Sequence, residues 1–142
     1  MSAFLILAAL FPQTAQAEEP SVWVMSGMWS VHPNEDYYHY NQKNSGWGLA
    51  YEDHDHDHTY IVGDYFNSVR QDSKYIGMIH DPWSVGPVRF GYMAGLISGY
   101  STSPRYIPVA APMASYEYRG IGLNFVWVPS VVVAVQLKVK VW

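Results

Sequence analysis

The sequence predicts an all-β protein, an eight-stranded antiparallel up-and-down transmembrane barrel. Aromatic residues make up 16% of the chain and charged residues only 14%, with eleven glycines and nine prolines. This composition favours many short strands joined by turns over a helical bundle. Four segments alternate between bulky apolar residues and small or charged residues, which is the period of a β-strand. Eight candidate strands can be placed in the chain, and an even number closes into a barrel without exposed sheet edges.

Length, charge and cysteine content exclude several classes of protein. The chain has 142 residues, which corresponds to one domain. Its formal net charge is -4, so it has no basic surplus for a phosphate backbone, and we expect no nucleic-acid partner. The absence of cysteine excludes a disulfide framework and a thiolate zinc site. We expect no cofactor.

An apolar run near the N-terminus predicts a secretory signal peptide. Residues 3–11 are apolar over a length that suits such a peptide and is far short of the about 20 residues that span a bilayer as a helix. Ala15 and Ala17 follow as a small-residue cleavage site. We therefore predict a signal peptide over 1–17 and an outer-membrane barrel domain over 18–142. No Lys or Arg precedes the run, so a buried N-terminal helix is the alternative.

Eight segments form the predicted barrel, separated by clusters of Gly, Pro, Asn, Asp or Ser that suit hairpin connections. In chain order they are Ser21–Val31, Gly46–Glu52, Thr59–Tyr65, Tyr75–His80, Val88–Ile97, Pro112–Tyr118, Ile121–Val128 and Val135–Val141. The second, fifth, seventh and eighth alternate clearly, and the other four are weaker candidates. In the fifth, for example, Phe90 and Tyr92 oppose Arg89 and Gly91.

The alternation also predicts which face of each strand contacts lipid. None of the bulky faces in the four clear segments carries a charge, whereas Arg89, Lys138 and Lys140 lie on the opposite faces. With the bulky faces outside, they would form a lipid-facing band around a small and polar lumen. We therefore predict a location in the outer membrane of a Gram-negative bacterium. With the bulky faces inside, the chain would be a soluble periplasmic barrel that carries a ligand, which is the alternative.

Topology places several chemically active residues on one rim. In a barrel that the chain enters from the periplasm, the connections after the first, third, fifth and seventh strands share the outer rim. They contain His32, Asn67, Ser68, Arg70, the segment Ser101–Arg105, Pro129 and Ser130. His32 and Ser68 would thus meet at one rim, as a serine nucleophile and its histidine base require.

Two segments resemble one known family in the order of their residues. Tyr106–Ser130 is YIPVAAPMASYEYRGIGLNFVWVPS, and it resembles the second half of the lipid A palmitoyltransferase barrel in its Y-I-P and P-x-A-S pattern. Gly46–Ser68, GWGLAYEDHDHDHTYIVGDYFNS, is similar to that family's Gly-rich strand, polar turn, aromatic strand and Asp-Ser pair. Trp29 followed by His32 resembles the family's Trp-His pair, with the histidine displaced by two residues.

The resemblance implies a monomeric outer-membrane enzyme that moves an acyl chain from a phospholipid donor to the lipid A of lipopolysaccharide. On that basis His32 is the general base, Ser68 serves acyl transfer or substrate alignment, and Asn67 stands at the family's Asp position. Asn67 cannot ionise, so it could orient a partner or donate to an oxyanion but could not stabilise an imidazolium. Glu35 or Asp36 are possible substitutes for the missing carboxylate.

The resemblance assigns three further residues. Pro112 and Pro129 match two prolines beside a lateral opening in the family's barrel wall. Proline has no N–H, so two prolines in facing strands would leave a gap through which a lipid could enter. The alternative is that each proline only begins or ends a strand. Ile79 lies where the palmitate-selective members have glycine, so it would form the floor of the acyl pocket and favour a shorter chain.

The run DHDHDH is a weak candidate for a metal site. In an extended conformation His54, His56 and His58 would share one face, a spacing that can hold zinc or copper. A solvated hairpin turn without metal is the favoured interpretation. For the whole chain, the alternative to the acyltransferase is a non-catalytic barrel that acts in adhesion or blocks a receptor through its loops.

Overall fold

The computed structural model describes residues 19–33, 39–55 and 57–142. The predicted signal peptide, Glu35, Asp36 and His56 therefore lie outside the described residues. In the described part of the chain, no helix has the length and apolar character needed to cross a membrane.

The described residues form eight strands that follow one another around a closed barrel. The strands are β1 (Ser21–Val31), β2 (Lys43–Asp53), β3 (His58–Phe66), β4 (Asp72–Val85), β5 (Val88–Ser98), β6 (Tyr106–Tyr118), β7 (Ile121–Val128) and β8 (Val132–Lys140). Each strand pairs antiparallel with its neighbours in sequence, and β8 pairs with β1 to close the sheet. The predicted eight-stranded up-and-down barrel is confirmed.

Two strands, β4 and β6, extend furthest beyond their predicted bounds. β4 continues past His80 to Val85, because a bulge in its pairing with β5 accommodates Pro82. β6 begins at Tyr106 instead of Pro112, and its pairing with β5 runs along this added length.

The outer wall of the barrel is mostly apolar, and the side chains that face the lumen in the four clear strands are mostly small or polar. In β7, Ile121, Phe125 and Trp127 are exposed, whereas Gly122 and Asn124 are buried. The bulky apolar faces of β2, β5 and β8 also point outward. Such a wall suits contact with lipid, and it disfavours the soluble carrier.

The two ends of the barrel differ in the length of their connections. The turn end consists of the connections 54–57, 86–87 and 119–120. The loop end consists of the connections 32–42, 67–71, 99–105 and 129–131, and it corresponds to the predicted outer rim. At the turn end, Arg119 and Gly120 have φ values of 49° and 79°, as a two-residue type I′ hairpin requires.

An ionic network fills the lumen near the turn end. Arg89 lies at its centre, where its Nε donates to Asp81 Oδ2 at 3.1 Å. Its Nη2 donates to Glu117 Oε1 at 2.9 Å and also to Glu52. Lys138 donates to the same Glu117 carboxylate. The network therefore connects β2, β4, β5, β6 and β8 across the lumen.

Glu52 is almost completely enclosed, with 2% of its surface exposed. Its Oε2 accepts hydrogen bonds from Ser21 Oγ at 3.1 Å and from Trp23 Nε1 at 2.8 Å. The Lys138 ammonium group lies 4.6 Å from the centre of the Trp23 ring, within the range of a cation–π contact. These buried charges thus have the partners that a low-dielectric interior requires.

An apolar layer lies next to this network, on its side toward the loop end. It consists of Trp23, Met25, Ala50, Ile61, Ile79 and Met113. Tyr75 packs against the layer and reaches across two glycines. A Cβ atom at Gly48 or Gly63 would lie only 2.3 or 2.5 Å from the Tyr75 hydroxyl oxygen. The two glycines therefore make room for this side chain.

Replacing Arg89 with leucine should lower the free energy of unfolding by about 3 kcal/mol or more, because three lumenal carboxylates lose their shared cation. Urea unfolding in lipid vesicles, read by heat-modifiable gel mobility, measures the change. Lys140→Gln is the matched control, because Lys140 is an exposed cation. This substitution should change the free energy of unfolding by less than about 0.5 kcal/mol. Equal effects of the two substitutions would contradict a stabilising network.

Gly48→Ala should destabilise the barrel by about 1–3 kcal/mol, because the added methyl group overlaps the Tyr75 hydroxyl. Adding Tyr75→Phe to this variant should recover part of the loss. A double-mutant cycle on the free energies of unfolding measures the coupling between the two positions. Strictly additive effects would rule out this contact as the cause.

Candidate functional site

A bulge in β1 determines where His32 points. The register of β1 shifts between Ser26 and Met28. Before the shift Met25 is buried, and after it Ser30 and His32 are the buried residues. Because the bulge changes the phase of the alternation, His32 faces the inside of the barrel at the loop end.

The His32 ring stacks on Tyr40, with ring centroids 4.3 Å apart. The next residue, Asn41, donates its N–H to the Ser68 carbonyl oxygen at 2.9 Å and its Nδ2 to the Asn67 carbonyl oxygen at 3.3 Å. The structure therefore joins the connection that carries His32 to the turn that carries Asn67 and Ser68.

Asn67 is fully buried and holds the turn in place. Its side-chain amide makes four hydrogen bonds between 2.9 and 3.0 Å. The partners are the N–H groups of Val69 and Gln71, the hydroxyl of Ser73 and the carbonyl of Gly99. These bonds position the backbone on both sides of Ser68, which is itself 9% exposed. An oxyanion role for Asn67 stays a prediction.

A polar pair that the sequence pattern did not predict lies beneath this site. Ser30 Oγ donates to Asn44 Oδ1 at 2.7 Å, and Asn44 Nδ2 donates to the Phe66 carbonyl oxygen at 3.1 Å. Both side chains of the pair are buried. Asn44 lies two residues before Gly46, on the face of β2 that also contains Gly46 and Gly48. A predicted strand that began two residues earlier would have placed Asn44 in the lumen.

The hydrogen-bond ladder between β6 and β7 is incomplete. It ends at Met113, whereas the ladder between β6 and β5 continues to Tyr106. Pro112 is the first β6 residue beyond the shorter ladder, and Pro129 directly follows β7. The two prolines therefore lie beside an interruption in strand pairing on the loop-end side of the wall.

Ile79 faces the lumen and is 5% exposed. It belongs to the apolar layer, which lies between the loop-end site and the ionic network. Its neighbours in that layer are closely packed, since Trp23 and Met25 are only 3% and 1% exposed. The role of Ile79 as the floor of an acyl pocket stays a prediction.

His54 and His58 lie at the turn end, on either side of the chain reversal between β2 and β3. His54 Nε2 lies 3.6 Å from Glu52 Oε2 at the mouth of the lumen, whereas the His58 ring faces His80, with centroids 4.7 Å apart. In the described part of the chain no extended segment joins His54 to His58, because the chain reverses between β2 and β3, as the favoured interpretation of a hairpin turn expects. Among the described residues, which exclude His56, no three metal-binding side chains come together.

Comparison with known proteins identifies the fold and no family. No model of a known protein family matches the chain, and no curated protein matches it. Among solved structures, a de novo designed protein, TMB2.3, matches with a TM-score of 0.55 and 14% identity, over 89% of this chain and 98% of the designed one. The chain thus has the fold of an eight-stranded transmembrane β-barrel.

Proposed function

We propose that the protein is an outer-membrane acyltransferase that moves an acyl chain from a phospholipid to lipid A. The observation that carries the proposal is the contact at the loop end between the His32 connection and the Asn67–Ser68 turn. The apolar outer wall supports a location in the outer membrane of a Gram-negative bacterium. A signal peptide over 1–17 would deliver the chain to the periplasm.

In this proposal His32 is the general base. Its imidazole accepts the proton of a lipid A hydroxyl, whose oxygen attacks the acyl carbonyl of the phospholipid. The proton then passes to the departing lysophospholipid oxygen as the original ester bond breaks. In this direct transfer Ser68 aligns the substrate, and Asn67 holds Ser68 through the turn. In the alternative two-step transfer, Ser68 Oγ gives its proton to His32 and attacks the acyl carbonyl, and the lysophospholipid leaves with that proton. The lipid A hydroxyl then takes the acyl group from Ser68, and its proton returns to the serine oxygen through His32.

Pro112 and Pro129 mark the proposed route for the lipid. Proline cannot donate a backbone hydrogen bond, so the ladder between β6 and β7 cannot be completed at these positions. An acyl chain would pass from the membrane through this interruption toward the lumen.

Expression in a Gram-negative host tests the proposal through the mass of its lipid A. The wild type should add an acyl-sized mass, Ser68→Ala should abolish it, and His32→Gln should reduce it about 100-fold. Ser101→Ala, which removes another loop-end hydroxyl, is the matched control and should leave the product unchanged. Heat-modifiable gel mobility confirms folding. Unchanged lipid A with a folded wild type would refute the proposal.

Ile79→Gly should lengthen the transferred acyl chain, because removing this side chain deepens the lumen below the site. Mass spectrometry of lipid A gives the chain length. Leu96→Gly is the matched control, since Leu96 lies on the outer face of the neighbouring strand β5 and is 46% exposed. The same chain length in wild type and Ile79→Gly would count against an acyl-pocket floor at this position.

The packed apolar layer favours a second candidate, a non-catalytic barrel that acts in adhesion or receptor blocking. Trp23 and Met25 fill the middle of the lumen, so an acyl chain could pass them only if they rearranged. Unchanged lipid A from a folded outer-membrane wild type would support this candidate, and binding tests would then address the loop end.

A further inference from the structure

A groove runs along the outer wall of the barrel, across β2, β3 and β4. Its lower part has a volume of about 390 Å³ and includes Leu49, Val62 and Ile76, which are apolar and exposed. Its upper part has a volume of about 430 Å³ and continues toward the loop end. Asp64 and Lys74 line both parts. This outer groove therefore combines an apolar section with a charged section.

Asp64 and Lys74 are cross-strand partners on β3 and β4, and both are exposed. In the described structure the two side chains are not joined by an ion pair. Trp47 is the cross-strand partner of Asp64 on β2, and Tyr106 lines the groove beside Lys74. A carboxylate and an ammonium group thus lie between two aromatic side chains on the outer wall.

We infer that the outer groove binds a zwitterionic phospholipid. The positively charged amine of the headgroup lies at Asp64 beside Trp47, because a ring face attracts cations. The phosphate lies at Lys74, which can donate charge-assisted hydrogen bonds to it. The acyl chains follow the apolar section of the groove toward the centre of the bilayer.

Charge complementarity favours this ligand over an anionic lipid. Asp64 would repel the phosphate groups of an anionic lipid, whereas one zwitterion satisfies Asp64 and Lys74 together. Trp47 and Tyr106 also fit the headgroup level, because aromatic residues concentrate at membrane interfaces. The inference does not rest on acyl transfer, since none of these four residues belongs to the proposed catalytic set.

Native mass spectrometry of the detergent-solubilised full chain tests the inference with two lipids of identical acyl chains, phosphatidylethanolamine and phosphatidylglycerol. The wild type should retain the ethanolamine lipid up to about fivefold better, the range expected for one exposed ion pair. Asp64→Asn should remove this preference, and Asp64→Lys should reverse it.

Lys43→Gln is the matched control, because Lys43 is an exposed lysine on β2 that does not line the groove. It should leave the preference unchanged. Heat-modifiable gel mobility shows that each variant is folded. Equal retention of the two lipids by the wild type, or an undiminished preference in folded Asp64→Asn, would overturn the inference. Lipid A acylation is measured separately, so the two proposals can fail independently.

Discussion

Hydrogen bonds between β1 and β8 close the sheet, and the position of every side chain depends on that closure. In a closed barrel one face of each strand points to the lumen and the other to the surroundings. Alternate residues along a strand therefore point inward and outward in turn. The bulge in β1 is the important exception near the site. Gly27 lies within it, and a Cβ atom there would lie 2.1 Å from the Asn44 carbonyl oxygen. The close approach of β1 and β2 at this point therefore requires glycine.

The lumen is organised in three levels that differ in chemistry. Ionic residues lie near the turn end, apolar side chains fill the middle, and neutral polar residues support the loop end. Buried side chains are stabilised by charge pairing in the ionic level, by close packing in the apolar level and by hydrogen bonds, including those to backbone carbonyls, at the loop end. His32, the general base of the proposed acyl transfer, lies at the level nearest the loop end, whereas the ionic network around Arg89 lies near the turn end.

The alternation predicted the strand number, the strand order and the faces of the clearest strands, because burial acts on every second residue. It could not predict which lumenal residues meet. Arg89 contacts Glu52 and Glu117, which lie far from it in sequence, and such contacts depend on side-chain length and strand stagger. At the site, topology predicted the shared rim of His32 and Ser68. The linking role of Asn41 depends on loop conformation, which has no periodic signal.

The filled lumen also bears on the electrical properties of the membrane around the protein. A hydrated ion moving along the barrel axis would have to displace the apolar layer and then separate Arg89 from its carboxylates. Both steps are costly, since buried apolar packing and paired charges resist the entry of water. The arrangement of the described residues therefore corresponds to a non-conducting barrel. A cell could therefore hold many copies in a membrane without weakening that membrane as a permeability barrier.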